Sequence, residues 1–246
     1  GRLSAMEYYF YLSSNNLNGA IPTQLGRLSA MTSLFDLSSN NLNGAIPTQL
    51  GNLTSLTDQF FLHSNDLSST LPTQLGRLTR SQQLYAFSNS ISGAVPSEVG
   101  SMAALTQLFL QTNRLHDSLP TQLGRLSGLV DLVLDQNSLE SSLPASLCNL
   151  TELVLFSASK NRFSGRVPPC VFPNVETFNV ASNRLQRDLP SVEGWGQLSY
   201  LLLHENEFEG GVGSLKLNGS VLSAGVHPPP FEDDFDDDDF QKYLGG

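Results

Sequence analysis

The strongest constraint on how this chain folds is that its sequence repeats itself. Residues 12–28 read LSSNNLNGAIPTQLGRL, and residues 37–53 read LSSNNLNGAIPTQLGNL with a single difference. The same frame recurs with decay, and its asparagines follow one another at intervals of 22 to 25 residues: Asn15, Asn40, Asn65, Asn89, Asn113, Asn137, Asn161, Asn183 and Asn206. Such a period is typical of stacked-coil architectures in which each repeat forms one structural unit. The sequence therefore predicts a solenoid of about nine repeats.

Each repeat also contains the alternating pattern of a short strand. Apolar residues lie five and three positions before each asparagine, so both side chains point to the same face of the strand. These inward columns are Phe10, Phe35, Phe60, Leu84, Leu108, Leu132, Phe156, Phe178 and Leu201, and Leu12, Leu37, Leu62, Ala86, Leu110, Leu134, Ala158, Val180 and Leu203. No single repeat can bury such an edge alone, so the strands are expected to stack into one parallel sheet. The asparagine is expected to turn the chain out of the strand and to bond backbone groups that the turn leaves unpaired.

The repeat resembles the plant-type leucine-rich repeat, LxxLxxLxLxxNxLxGxIPxxLGx. One clean copy runs from Leu126 to Pro144, with Leu129, Leu132 and Asn137 in register. The resemblance covers roughly residues 1–213. Repeats of this type occur in plant receptor-kinase ectodomains, polygalacturonase-inhibitor-like proteins and the expanded arrays of algae and protists. It implies a leucine-rich-repeat solenoid: a right-handed, curved superhelix with a parallel β-sheet on the concave face and an irregular or 3-10 helical convex side.

Composition divides the chain into three parts. Residues 1–213 are predicted to form the repeat array, 214–226 a degenerate C-terminal cap, and 227–246 an acidic disordered tail. Seven of the 23 acidic residues lie in the last sixteen positions. The net charge of −10 disfavours nucleic acid as a partner. No apolar run of about 18 residues occurs, so no membrane insertion is expected in this segment.

Cys148 and Cys170 each lie thirteen residues before the asparagine of their repeat, so they occupy equivalent positions in adjacent coils. A disulfide requires Cα atoms about 4.4–6.8 Å apart. Adjacent coils approach to about 5 Å at the sheet but diverge on the outer side. In the alternative interpretation, each cysteine only replaces the glycine that stands at this position in other repeats, such as Gly100 and Gly124. The sequence leaves both interpretations open.

Three N-glycosylation sequons occur, at Asn52, Asn149 and Asn218. Sequons arise often by chance in repeats rich in asparagine and serine, but Asn52 and Asn149 occupy the same place in their repeats. They favour an extracellular or cell-surface location, and an intracellular scaffold is the alternative.

Catalysis is not expected, and neither is a cofactor or a metal site. The two histidines that precede their asparagines by two residues, His63 and His204, are six repeats apart, or roughly 30 Å at about 4.8 Å per strand. No nucleophile-elbow, phosphate-loop or zinc-type spacing is present.

The function that the sequence favours is recognition of a protein, or alternatively a glycan, through the concave face. The column four residues before each asparagine points away from the core. It is apolar from repeat 3 to repeat 6, and exposed apolar patches usually mark interaction sites. The predicted binding residues are Tyr11, Phe61, Tyr85, Phe109 and Val133, with Gln107, Gln111, Asp131, Asp135 and Gln136 as a polar rim. In the alternative, the aromatic residues stack laterally to stabilise the sheet, or another part of the chain covers them.

Two other functions stay open at this stage. One is a structural spacer or scaffold subunit in a larger assembly or extracellular matrix. The other is ice binding, which some plant leucine-rich-repeat proteins perform. A partial threonine ladder at Thr23, Thr48, Thr73 and Thr121 favours it, and Ser97, Ala145 and Pro169 interrupt that ladder. The identity of the ligand and the oligomeric state do not follow from the sequence.

Overall fold

The computed structural model describes residues 5–188 and 191–210. The predicted cap at 214–226, the acidic tail at 227–246 and the sequon at Asn218 lie outside the described residues. Within them, each repeat begins with a three-residue strand, and the nine strands pair in chain order, all parallel. They are β1 (Tyr9–Tyr11), β3 (Leu34–Asp36), β5 (Gln59–Phe61), β7 (Gln83–Tyr85), β9 (Gln107–Phe109), β11 (Asp131–Val133), β13 (Leu155–Ser157), β15 (Thr177–Asn179) and β17 (Tyr200–Leu202).

The register of this first sheet stacks the inward columns into the core, as predicted. Phe10 pairs with Phe35 and Phe35 with Phe60, and the ring centroids are 5.4 and 5.3 Å apart. Both columns are buried from the second to the eighth coil. At the first coil Leu12 is 38% exposed, because no described coil precedes it. The core is therefore continuous along the array and weakest at its ends.

The structure adds a second parallel sheet, which the sequence analysis did not predict. It follows each asparagine and consists, within the described part of the chain, of β2 (Asn18–Ala20), β4 (Asn41–Ala45), β6 (Asp66–Thr70), β8 (Ser90–Gly93), β10 (Arg114–Asp117), β12 (Ser138–Ser142), β14 (Arg162–Gly165), β16 (Arg184–Arg187) and β18 (Glu207–Phe208). In the seven strands from β4 to β16, one apolar residue, such as Leu67 or Phe163, is buried. The other positions are mostly polar residues, glycine or alanine, which are poor strand formers. Stacking of the coils, rather than local propensity, makes these segments strands.

Short 3-10 helices form the far side of the coils. In the described residues they span Thr23–Arg27, Thr48–Asn52, Thr73–Arg77, Ser97–Ser101, Thr121–Arg125 and Ala145–Asn149. Each follows a proline in extended conformation, for example Pro120. The coils approach closely at the glycine in these helices, since a Cβ at Gly124 would lie 2.3 Å from the carbonyl oxygen of Ser146. Glycine at this position therefore permits the close stacking.

The asparagine ladder connects every coil to the one before it. The Asn65 side-chain nitrogen donates to the carbonyls of Leu62, His63 and Leu37 at 3.0–3.2 Å, and its Oδ1 accepts the Leu42 N–H at 3.0 Å. The same four bonds recur at Asn40, Asn89, Asn113, Asn137, Asn161, Asn183 and Asn206. The residue before each asparagine has a φ of 50–54°. The asparagine side chain thus stabilises a turn in which the preceding residue has a left-handed backbone conformation, which is unfavourable for most residues other than glycine.

Candidate partner-binding surface

The predicted binding stripe lies on the outward face of the first sheet, which we call the concave face. The structure corrects the expectation that the whole stripe is exposed. Tyr85 is 0% exposed, Phe109 2% and Val133 5%. Phe61 is half-buried, and only Tyr11, in the open first coil, remains 63% exposed.

Lateral stacking explains this burial. The Phe61 and Tyr85 rings lie 4.3 Å apart with 5° between their planes, and the Tyr85 and Phe109 rings lie 4.7 Å apart with 9° between theirs. These separations match the spacing of about 4.8 Å between neighbouring strands. Rings on equivalent positions therefore cover each other's faces, which is the alternative arrangement stated above for these residues.

A second outward column, two residues before each asparagine, completes the packing. His63 and Phe87 stack at 4.3 Å, and each lies 6.3 Å from the Tyr85 ring. Sequence reasoning missed this contribution because it considered one outward column at a time. The signal was present, since repeats 3 and 4 carry a ring at both positions. We call Phe61, His63, Tyr85, Phe87 and Phe109 the aromatic block.

Two of the predicted rim residues are engaged within the fold. The Gln107 carboxamide accepts a hydrogen bond from Gln83 at 2.8 Å and another from the Tyr85 hydroxyl, and it donates to Asp131 at 2.7 Å. Asp131 is only 3% exposed. These groups form a polar ladder beside the aromatic block, in which Asp131 is buried and Gln107 is half-buried.

A cavity of about 200 Å³ opens on the concave face beyond the aromatic block. Four of the predicted binding residues line it: Gln111, Val133, Asp135 and Gln136. The other lining residues come from the same side of the later coils: Thr112, Ser159, Lys160, Asn179, Ala181, Ser182, Leu202, His204 and Glu205. The candidate site therefore lies over coils 5–9, whereas the sequence favoured a stripe over coils 3–6, and the two overlap in coils 5 and 6. Its charged residues carry both signs.

Asp135 is a titratable group of this site whose pKa is shifted. Burial raises the pKa of its carboxyl above the usual value near 3.8, although hydrogen bonds from Ser157 and Ser159 act in the opposite direction. The Ser157 hydroxyl donates to Oδ1 at 2.6 Å, the Ser159 N–H donates to it at 2.9 Å, and the Ser159 hydroxyl donates to it as well. All three bonds go to Oδ1, and Oδ2 takes none of them.

Cys148 and Cys170 form a disulfide, with Cα atoms 4.7 Å apart. Cys148 stands where other repeats have the closely packed glycine. Its helix, Ala145–Asn149, is the last 3-10 helix in the described part of the chain. Because no helix follows in the next coil, a side chain at residue 148 has the room that Gly124 lacks. The bridge thus links two coils at the point where the 3-10 stacking ends.

The two described sequon asparagines, Asn52 and Asn149, are exposed at the ends of equivalent 3-10 helices. Both can therefore be reached by a modifying enzyme. Within residues 5–188 and 191–210, no helix has the length and apolar character needed to span a bilayer. The same residues contain no group of three or more His, Cys, Asp or Glu side chains that could hold a metal ion.

Comparisons with known proteins agree with this architecture. A family model described as Leucine Rich Repeat matches residues 33–53. The chain is similar to the Arabidopsis receptor kinase HAESA, solved with the peptide hormone IDA and the co-receptor SERK1. The identity is 33% and the TM-score 0.76, over 81% of this chain and 34% of that one. It is also similar to the plant peptide hormone receptor RGFR1 in complex with RGF2, with 27% identity and a TM-score of 0.74 over 78% and 31% of the two chains.

A plant ice-binding protein is a further structural relative, with 25% identity and a TM-score of 0.67 over 82% of this chain and 64% of that one. No curated protein matches the chain. The chain spans about a third of the length of the receptor structures. The asparagine-anchored repeats, the stacked parallel strands and these likenesses lead to one conclusion: the chain folds as a leucine-rich-repeat solenoid that is similar to plant receptor-kinase ectodomains.

Proposed function

We propose that this protein is a recognition module that binds a peptide or protein partner in the cavity on its concave face. The observation that carries the proposal is the cavity itself, because it is open, lies beyond the self-packed aromatic block and contains a buried polar side chain, Gln111. The similarity to HAESA and RGFR1, both solved with peptide hormones, supports a partner of this class. The role is binding rather than catalysis.

A spacer or scaffold function accounts less well for these features. A spacer needs only a stable array, and the aromatic block and the asparagine ladder provide stability. It gives no reason for an open cavity of about 200 Å³ with buried polar lining, since burying unsatisfied polar groups lowers stability. The cavity is also smaller than the roughly 300–1,000 Å³ of small-molecule pockets. This size suits a short part of a longer ligand.

The proposal can be tested by selecting binders from a phage-displayed library of random dodecapeptides with the full chain as bait. Synthetic copies of the selected peptides are then titrated calorimetrically. Leu202 lines the cavity and Leu17 lies in the first coil, where it is 39% exposed. Leu202→Lys should abolish binding and the matched control Leu17→Lys should preserve it. Selection of no peptide, or binding that resists Leu202→Lys but not Leu17→Lys, would reject the proposal.

We further infer an extracellular or cell-surface location. The disulfide between Cys148 and Cys170 supports an oxidising compartment, where such bonds persist. Exposure of Asn52 and Asn149 is compatible with glycosylation there. Protein isolated from its native source should lose mass on enzymatic deglycosylation at these sites. An unmodified chain with two reduced thiols would instead place it inside the cell.

Ice binding is a second candidate, favoured by the similarity to the plant ice-binding protein and by the exposure of all four ladder threonines. The ladder is broken at Ser97 and Ala145, so the regular area is short. Thermal hysteresis of the purified chain, compared with a Thr48→Lys/Thr73→Lys variant, tests it. Hysteresis that is absent, or equal in both proteins, would exclude this surface as an ice-binding site.

A further inference from the structure

A second cavity lies at the edge of the concave face where the strands of the first sheet begin. Its volume is about 370 Å³, within the roughly 300–1,000 Å³ that is typical of small-molecule sites. Coils 1–4 supply the lining, which consists of Tyr9, Ser33, Leu34, Asp58, Gln59, Gln82 and Gln83. None of these residues lines the cavity over coils 5–9, so the two cavities are separate.

The segment that leads into the strand is one residue longer in the first three coils. In the second coil the buried residues Met31 and Phe35 are four positions apart, whereas the equivalent spacing in the fifth coil is three. Ser33 belongs to such a longer segment and lines the cavity. The hydroxyls of Thr32 and Thr57 each donate to a main-chain carbonyl of the preceding coil at 2.8 Å. The longer segments are therefore held against one another, and the lining is fixed by the fold.

The cavity presents polar atoms that the fold does not use. The carboxamides of Gln59 and Gln82 hydrogen-bond to no described residue, and neither does Oδ2 of Asp58. Gln83 uses its nitrogen in a bond to Gln107 at 2.8 Å, which leaves its oxygen without a described partner. The lining side chains that carry these atoms are exposed or half-buried. A ligand can therefore reach them from solvent.

Tyr9 forms an aromatic wall of this cavity. It is 66% exposed, and the described ring in contact with it, Tyr8, lies 6.5 Å away at a tilt of 36°. No described ring is stacked on its face, in contrast to Tyr85 in the aromatic block. The lining residues include one carboxylate and no cationic side chain, which disfavours an anionic ligand. An apolar ligand is disfavoured as well, because it would leave the polar groups of the lining unpaired.

We propose that this cavity binds a neutral saccharide. One face of a sugar ring consists of C–H groups, which are attracted to the electron-rich face of an aromatic ring such as Tyr9. The hydroxyls lie around the edge of the sugar, and each can donate and accept hydrogen bonds. Asp58, Gln59 and Gln82 offer planar polar groups that can bond to such hydroxyls from neighbouring coils. This site is distinct from the cavity of the proposed function and does not depend on it.

The test begins with the full chain on an immobilised array of neutral oligosaccharides of glucose, mannose, galactose and xylose, beside acidic oligosaccharides of galacturonic acid. A retained neutral oligosaccharide is then titrated calorimetrically against the wild-type chain and against matched variants. Tyr9→Ala removes the aromatic wall, whereas Tyr9→Phe keeps it. Gln82→Ala removes an exposed carboxamide of the lining, and its control Gln24→Ala removes an exposed carboxamide in the 3-10 helix Thr23–Arg27, outside the cavity. Melting curves verify that each variant folds.

Tyr9→Ala and Gln82→Ala should each weaken binding by about tenfold or more, the order of loss expected when a contact residue is truncated. Tyr9→Phe and Gln24→Ala should bind as the wild-type chain does. The affinity should not depend on salt concentration, because the ligand carries no charge. Peptides selected against the cavity over coils 5–9 should bind every variant unchanged, so failure of the proposed function would be recognised separately.

Four outcomes would overturn the inference. The first two are retention of acidic oligosaccharides alone and retention of no oligosaccharide. The third is binding of a neutral oligosaccharide that both Tyr9→Ala and Gln82→Ala leave unchanged, since the sugar would then lie elsewhere. The fourth is an equal loss in Tyr9→Ala and Tyr9→Phe, because it would assign the contact to the hydroxyl rather than to the face of the ring.

Discussion

Replacing Asn113 by alanine should lower the free energy of unfolding by about 1–3 kcal/mol. Its side-chain nitrogen donates to the carbonyls of Ala86, Leu110 and Gln111 at 2.9, 3.1 and 3.3 Å. Its Oδ1 accepts the Ile91 N–H at 2.9 Å. Two of these four bonds, those to Ala86 and from Ile91, cross to the preceding coil. The substitution therefore removes two hydrogen bonds between coils as well as two within the turn.

The expected loss of stability depends on which backbone groups keep another hydrogen-bond partner after the substitution. The Ala86 carbonyl also receives Asn89 Nδ2, and the Leu110 carbonyl also receives Asn137 Nδ2. The Gln111 carbonyl receives the Ser88 N–H at 3.0 Å. The Ile91 N–H has one hydrogen, and in the structure that hydrogen bonds to Asn113. The cost is thus that of one unsatisfied donor rather than four, which gives the range of about 1–3 kcal/mol.

Asn15 provides the matched control. It lies in the first coil and is exposed, and among the described residues its side chain bonds only to the carbonyls of Leu12 and Ser13 in its own turn. Asn15→Ala should therefore change stability by no more than about 0.5 kcal/mol. Urea denaturation followed by far-ultraviolet circular dichroism measures both variants, and an unchanged slope indicates that cooperativity is preserved. An Asn113→Ala midpoint equal to that of wild type, or equal losses in both variants, would refute the ladder argument.

Four further predictions concern the concave face and the disulfide. Phe109→Ala should lower the free energy of unfolding by about 3–5 kcal/mol, because the ring is buried in the aromatic block. Tyr11→Ala removes an exposed ring and should lower it by about 0.5 kcal/mol or less in the same urea assay. Equal effects would contradict the stacking. Gln111→Leu should raise the free energy of unfolding by about 1–3 kcal/mol, since it removes a buried group that has no partner, and a loss of stability would show that the carboxamide is satisfied. Burial raises the pKa of Asp135, so the native state keeps this proton to higher pH than the unfolded state does. Stability should therefore fall as pH rises from about 3.8 through the folded pKa. Urea midpoints from pH 3 to 8 should show Asp135→Asn becoming more stable relative to wild type across that window, and a constant difference would contradict the shift. Thiol titration of the denatured, unreduced monomer should find no free thiol, and two free thiols would exclude the bridge between Cys148 and Cys170.

The fold could be predicted from sequence because the information that specifies it is local and repeated. The position of each asparagine sets the strand register, and the register determines which columns point inward. Phe35, Phe60 and Leu84 were therefore placed in the core from spacing alone, and the structure buries all three. The second sheet could not be predicted in this way. Segments such as Ser138–Ser142 have no strand propensity of their own and become strands only because the neighbouring coil offers backbone partners.

The candidate site was predicted less well for a different physical reason. Spacing shows that Phe61, Tyr85 and Phe109 point the same way, but it does not show how much of each ring its neighbours cover. Flat rings at strand spacing cover one another almost completely, and His63 and Phe87 close the remaining side. The smaller polar side chains of the later coils do not fill the face, so Gln111 and Asp135 border a cavity. Exposure on this face depends on side-chain volume, which an inward–outward pattern does not encode.

This dependence on volume gives the two halves of the concave face opposite relations to stability. In coils 3–5 the outward side chains stabilise the solenoid by packing against one another, so a ligand would have to compete with contacts already made. In coils 5–9 the outward side chains stabilise it less, and at Gln111 the fold bears the cost of an unpaired buried amide. Gln111→Leu should therefore stabilise the free protein whereas Phe109→Ala should destabilise it, and effects of the same sign would contradict this division of the concave face.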